Sequence, residues 1–150
     1  MQAITPQLVS LSRPALRRTL LRHYRRLSEA SRRLRFMGGI KEEVLTQTAN
    51  SASPNVMFGI KEDGAYRGIL ELHILEDGRA EIGLSVEDAY QGRGFGRALF
   101  QLGLSEAQAR QVHSVDVHFS NANAAIQKLC LEMGGDMRVN GMDSMSRITL

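Results

Sequence analysis

Residues 79–99 read RAEIGLSVEDAYQGRGFGRAL. The first eight alternate. Ala80, Ile82, Leu84 and Val86 share one face and Glu81, Gly83 and Ser85 the other, the period of a half-buried strand. Glycines stand at 92, 94 and 96. A helical spacing then runs from Arg97 to Gln111, with Leu99, Leu102 and Ala109 near one side. A strand, a glycine-rich turn and a helix together favour an anion. The first helical N–H groups have no intrahelical acceptor, and the helix dipole adds about half a positive charge there. Glycine lets that backbone approach phosphate oxygens closely.

Three phosphate-binding patterns compete for this turn. A Walker loop needs Lys-Ser/Thr after its last glycine, and here Gly96 is followed by Arg97-Ala98. A dinucleotide fingerprint, Gly-x-Gly-x-x-Gly/Ala, meets Arg97 counted from Gly92 and Leu99 counted from Gly94, so it fails twice. The pattern Gln/Arg-x-x-Gly-x-Gly/Ala, which holds the pyrophosphate of coenzyme A, is matched throughout by Gln91-Gly92-Arg93-Gly94-Phe95-Gly96. A tight turn with spare glycines is the alternative.

Upstream, the period is also two. Strands are expected over 55–61 and 65–75, joined to each other and to 79–86 by turns at Asp63-Gly64 and Asp77-Gly78, which makes an antiparallel meander. Before it, Ser12-Arg13-Pro14 opens a helix whose apolar face carries Leu16, Leu20, Tyr24 and Leu27. Ser28 to Ser31 cap a second, short helix bearing Leu34 and Phe36, which Gly38-Gly39 stops. Residues 41–54 are ambiguous: KEEVL suits a helical turn, TANSASPN a loop. Downstream come a strand at 113–119, a helix at 122–133 and two short strands near 136–139 and 144–150. The order ααβββαβαββ specifies an α/β (α+β) chain with a mixed, mainly antiparallel sheet flanked by helices, as a single domain over 1–150.

Composition narrows the function. The chain has 150 residues, enough for one sizeable core. It has no apolar run near the length of a membrane span and no secretory leader pattern. Its single cysteine, Cys130, forbids an internal disulfide and fits a cytoplasmic location. No His/Cys/Asp spacing suggests a metal site. Residues 1–40 hold nine arginines against one acid, Glu29, while the remainder is net acidic. Such a front could meet nucleic acid, but Tyr24 is the lone aromatic among those arginines, which makes nucleic acid an unlikely partner. The hairpin at 136–150 would end the sheet in an edge open to a second subunit, so a homodimer is possible.

Taken together, AEIGLSVEDAYQGRGFGRAL and NANAAIQKLCLEMGG resemble the GNAT superfamily of acetyl-CoA-dependent N-acetyltransferases. The second stretch is similar to that family's Asn-x-x-x-x-x-Leu-x-x-x-x-Gly helix, starting at Asn123. The front segment LLRHYRRLSEASRRLRF is similar to a bacterial branch that includes protein lysine acetyltransferases, where it borders the acceptor site.

The resemblance implies transfer of an acetyl group from acetyl-CoA to a primary amine: a protein lysine, an N-terminus or a small molecule. It implies a general base at Glu81, often acting through a water; a cross-strand partner on a sheet face is the bland reading of that residue. It implies that the backbone of Leu84, Ser85 and Val86 holds the pantetheine arm, with the Val86 N–H a candidate for the oxyanion. Gln91, Gly92, Arg93, Gly94, Phe95, Gly96 and Arg97 would hold the phosphates. Asn123 would touch the arm, cap its helix, or do both. Seven residues past Asn123, where many members carry an acid tyrosine, stands Cys130. A catalytically silent CoA-binding sensor is therefore the second reading. His73 and Glu71 share a strand face and could assist the base or bind the acceptor.

Overall fold

The computed structural model describes residues 4–150. Strand β1 is Gln7–Leu8. Helices α1 (Arg13–Arg26), α2 (Glu29–Phe36) and α3 (Glu42–Asn50) follow. Then come β2 (Val56–Glu62), β3 (Ala65–Ile74), β4 (Arg79–Val86), a 3₁₀ turn at Asp88–Tyr90, α4 (Phe95–Ala109), β5 (Ser114–Ser120), α5 (Ala124–Glu132), β6 (Asp136–Asn140) and β7 (Asp143–Thr149). The expected order is present, with two additions. The ambiguous stretch after residue 40 is helical, because Leu45 and Ala49, four apart, bury together. A two-residue strand pairs Gln7 and Leu8 with Gly59 and Phe58.

The strands form one sheet in the order β1-β2-β3-β4-β5-β7-β6. Every pairing is antiparallel except β4 with β5. Alternation along β2, β3 and β4 divides the apolar residues between two cores. Phe58, Leu70, Leu72, Ala80 and Ile82 pack under α4, against Leu99 and Phe100. Met57 and Ile69 face the opposite side and pack with Leu20, Tyr24 and Leu45 of α1 and α3. Fully burying one such Leu or Phe contributes about 1.5–3 kcal/mol, so both faces of the sheet are firmly covered.

The feature that positions the site is a parting of strands. β4 and β5 pair only through Arg79↔Ser114, Ala80↔Val115 and Glu81↔Asp116. Beyond that point β4 continues to Val86 on β3 and β5 to Ser120 on β7, each with its other neighbour only. Asp116, buried, clamps the sheet just below the parting. Its Oδ2 accepts from Arg79 at 2.7 Å, and Arg147 of β7 donates to both of its oxygens at 2.7 and 3.0 Å. The Arg147 hydrogen bonds, foremost, hold the Asp116 carboxyl below its usual pKa, against the opposing effect of burial.

Candidate active site

Two connected clefts occupy the fork. The larger, about 310 Å³, lies between α2, the end of β4, the turn before α4, and α5. The smaller, about 250 Å³, opens toward Glu81, His73 and His118. Leu34, Arg35, Leu84, Asn123 and Ile126 line both.

Strand chemistry decides what β4 offers the fork. The N–H of Glu87 bonds Arg67 O at 2.8 Å, and that of Leu75 bonds Arg79 O at 2.8 Å. In the same register, odd-numbered residues of β4 are therefore hydrogen-bonded to β3, and even-numbered ones turn their backbone groups away. Leu84 and Val86 thus point N–H and C=O into the fork. Ser85 does not. Its backbone belongs to the β3 ladder and its hydroxyl lies 2.8 Å from Nε2 of His23, a fully buried residue of α1.

The glycine turn presents a row of donors. Gly92 and Gly94 have φ of 75° and 86°, in the left-handed region that other residues enter at a cost, and Gly94 is the N-cap of α4. The N–H of Gln91 bonds Asp88 O, and that of Ala98 bonds Gly94 O. Between them, the N–H groups of Gly92 through Arg97 have no acceptor among the described residues. No acidic side chain stands in the first turn of α4. That end is therefore electropositive and open.

The remaining expected contacts divide. Gln91 lines the cleft, yet its amide is a latch: Nε2 donates to Val86 O at 2.9 Å and to Ser31 Oγ at 3.2 Å, tying α2 to the end of β4. Phe95, buried, stacks on Tyr90 with ring centroids 6.0 Å apart and anchors the helix start. Arg93 and Arg97 are turned to acids. Arg93 pairs with Glu62 at 2.8 Å, and Arg97 bonds both carboxylate oxygens of Glu132. Asn123 caps α5, its Oδ1 accepting from the Ile126 N–H at 3.2 Å, while it also lines both clefts. Cys130 lines neither; it is buried in the core under α5, and burial pushes its thiol pKa up.

Glu81 sits at the root of the fork, half-exposed on the floor of the smaller cleft. His73 is directly across from it on β3, and His118 Nε2 lies 3.6 Å from its Oε1. Glu71, by contrast, is buried. Its Oε2 accepts from Tyr24 Oη at 2.6 Å and from Arg35 Nη2 at 2.8 Å, and His73 Nε2 stands 3.6 Å from its Oε1. Burial alone would raise the Glu71 pKa, but the His73, Arg35 and Tyr24 contacts outweigh it and bring it down to about 2. It is a fixed counter-charge.

Sequence reasoning missed Arg35. Its guanidinium lies flat on β4 where Gly83 leaves room; a Cβ there would stand 2.9 Å from Arg35 Cζ. The run Arg32-Arg33-Leu34-Arg35 gives no sign of which arginine turns inward. The paired signal is a glycine within a strand, which marks close approach by another group.

The sequence profile of the acetyltransferase (GNAT) family matches residues 18–134. The chain is 34% identical over 121 residues to an acetyltransferase of Pseudomonas aeruginosa, a match covering 73% of this chain and 63% of that protein. The chain thus spans less than two thirds of that relative's length. Among solved structures, the GNAT domain of PAT from S. lividans superposes with a TM-score of 0.76 at 16% identity, covering 97% of this chain and 89% of that one. The PaiA N-acetyltransferase of Thermoplasma acidophilum in complex with coenzyme A gives 0.70 at 16% identity, covering 98% and 100%. The Salmonella typhimurium protein yncA with acetyl-CoA gives 0.70 at 16% identity, covering 99% and 95%.

Proposed function

Since the chain belongs to the GNAT acetyltransferase family, we propose that it transfers the acetyl group of acetyl-CoA to a primary amine by direct attack, with Glu81 as general base. One observation carries this reading: the fork between β4 and β5 has unpaired backbone donors on one wall and a carboxylate at its root.

In this reading the pantetheine arm lies along β4 and bonds the inward backbone of Leu84 and Val86, with Ser85 and Asn123 beside it. The pyrophosphate sits on the N–H groups of Gly92–Arg97, with Gln91 and Phe95 fixing the turn. Arg93 and Arg97 exchange their glutamate partners for phosphate oxygens; both pairs are solvent-exposed and screened, so they exchange readily. The acetyl carbon then lies above the root of the fork. Glu81 takes a proton from the incoming ammonium, directly or through one water. The freed nitrogen lone pair attacks the thioester carbon, and negative charge develops on its oxygen, which the Val86 N–H stabilises. As the C–S bond breaks, the nitrogen sheds its second proton to water to give the neutral amide, and the thiolate takes up a proton from solvent. His118, beside Glu81, offers that carboxylate a path for its proton to solvent.

The test is Glu81→Gln with acetyl-CoA and a panel of amines. A general base contributes about 10²–10⁴ in rate, so kcat falls by that factor while acetyl-CoA affinity stays level. Unchanged turnover removes Glu81 from the mechanism. Tight acetyl-CoA binding by the unaltered chain, with no acetylation of any amine, identifies a sensor instead.

A further inference from the structure

Of the arginines between residues 13 and 35, Arg35 alone lines the clefts among the described residues. Several of its companions are spent elsewhere: Arg26 on Glu87, Arg25 on Glu42, Arg32 on the carbonyls of Tyr24 and Arg25. The cationic front therefore delivers one charge to the site, and that charge is specifically seated.

Arg35 projects from the last turn of α2 and is gripped on three sides. Glu71 takes Nη2, Gly83 gives the guanidinium a flat floor, and the Phe36 ring stands 5.0 Å from its Cζ. Its Nη1 has no acceptor among the described residues, and a fifth of the side chain is exposed. Glu71 offsets this charge but occupies only Nη2; Nε is also buried without a partner, so the guanidinium keeps unspent donors. A planar donor remains on the wall of the smaller cleft, which suits a carboxylate.

The spacing selects further. Gly83 and Glu81 lie on one face of β4, two residues apart, a rise of about 7 Å. An amine within hydrogen-bond reach of Glu81 and a carboxylate within reach of Arg35 can then belong to one compact amino acid. The cleft is small, about 250 Å³, and its remaining walls include Leu34, Met37, Val117 and Phe119. We propose that Arg35 is an acceptor-binding residue that recognises a carboxylate close to the reacting amine, so that the acceptor is a small apolar amino acid rather than a protein lysine. This rests on the acetyltransferase reading for the role of Glu81, but the anion site stands on Arg35 alone.

The experiment separates the two. Leucine, methionine and phenylalanine, each beside its own amide, are titrated into the CoA-loaded chain by calorimetry, and the same compounds are assayed as acceptors. The acids are expected to bind about tenfold or more tighter than their amides, as a charge-assisted hydrogen bond implies. Arg35→Gln is expected to abolish that preference and leave CoA affinity unchanged. Because Arg35→Gln strands Glu71, the pair Arg35→Gln/Glu71→Gln is measured beside it. Equal binding of acid and amide, no binding of any acid, or an equal loss for acids and amides in the variant overturns the proposal; the last would place Arg35 on the thioester instead. Preferential binding of the acids without turnover leaves Arg35 in place and counts against Glu81.

Discussion

Glu81 and Asp116 are the last residues at which β4 and β5 still pair. One points its carboxylate into the cleft and the other is buried between two arginines. The same register position thus ends the ladder and starts the site. Below it, charge closes the sheet; above it, the two strands leave backbone donors unspent.

Asp116→Asn should loosen this junction. Removing the charge weakens the charge-assisted hydrogen bonds from Arg79 and Arg147, whose side chains are themselves partly exposed, and costs about 1–2 kcal/mol. Asp77 also pairs with Arg79, at 2.7 Å, but is half-exposed and screened by solvent, so Asp77→Asn should cost far less than Asp116→Asn. Denaturant midpoints compare the two. Equal, small losses would mean that the clamp does not hold the fork.

Gly94→Ala tests the turn. At φ 86° an added Cβ is strained whatever the free space, for about 1 kcal/mol of stability. Relief of that strain would re-aim the N–H groups of Phe95 and Gly96. Loss of one charge-assisted hydrogen bond would then weaken acetyl-CoA binding about tenfold. Gly141→Ala, at φ 66° in the distant β6–β7 turn, should show a similar stability loss with no change in affinity. Calorimetric titration distinguishes them.

Much of this site is local and therefore legible in the sequence. The β4 alternation, the turn after it and the cap at Asn123 each depend on neighbours within a few residues. The fork does not: β4 and β5 are separated in sequence by a whole helix, and their pairing stops after Glu81 and Asp116 while each keeps its other neighbour. The orientation of Arg35 is equally non-local, since it depends on Glu71 and Gly83 from two other strands. The acid partners of Arg93 and Arg97 lie 31 and 35 residues away. Helix α3 was hidden because Leu45 and Ala49 supply only two buried positions, too few for a periodic signal.

Glu71 predicts a pH dependence of stability. Its carboxyl titrates near 4.3 when unfolded and at about 2 when folded. A depressed folded value means that ionisation stabilises the fold above about pH 4.3, and that this contribution is lost as pH falls through about 2. It is on the order of 3 kcal/mol at neutral pH. The gap in unfolding free energy between the unaltered chain and Glu71→Gln should therefore be widest at pH 5–7 and narrow steadily toward pH 2. A gap independent of pH would show that Glu71 contributes through packing and not charge.

Cys130 stands seven residues past Asn123, where the family resemblance leads one to expect an acid tyrosine. Here the side chain is 2% exposed, reaches neither cleft, and has its thiol pKa raised by burial. Proton donation from such a group would require the core under α5 to open. Cys130→Ala is therefore expected to leave kcat within about twofold while lowering stability by about 1 kcal/mol for the lost buried volume. Cys130→Tyr should not raise the rate; forcing a ring into that core costs about 1–3 kcal/mol through overpacking. A drop in kcat of a hundredfold or more in the folded alanine variant is the size of effect that a general acid gives. It would show that the thiol reaches the reacting sulfur after all, and that α5 moves when acetyl-CoA binds.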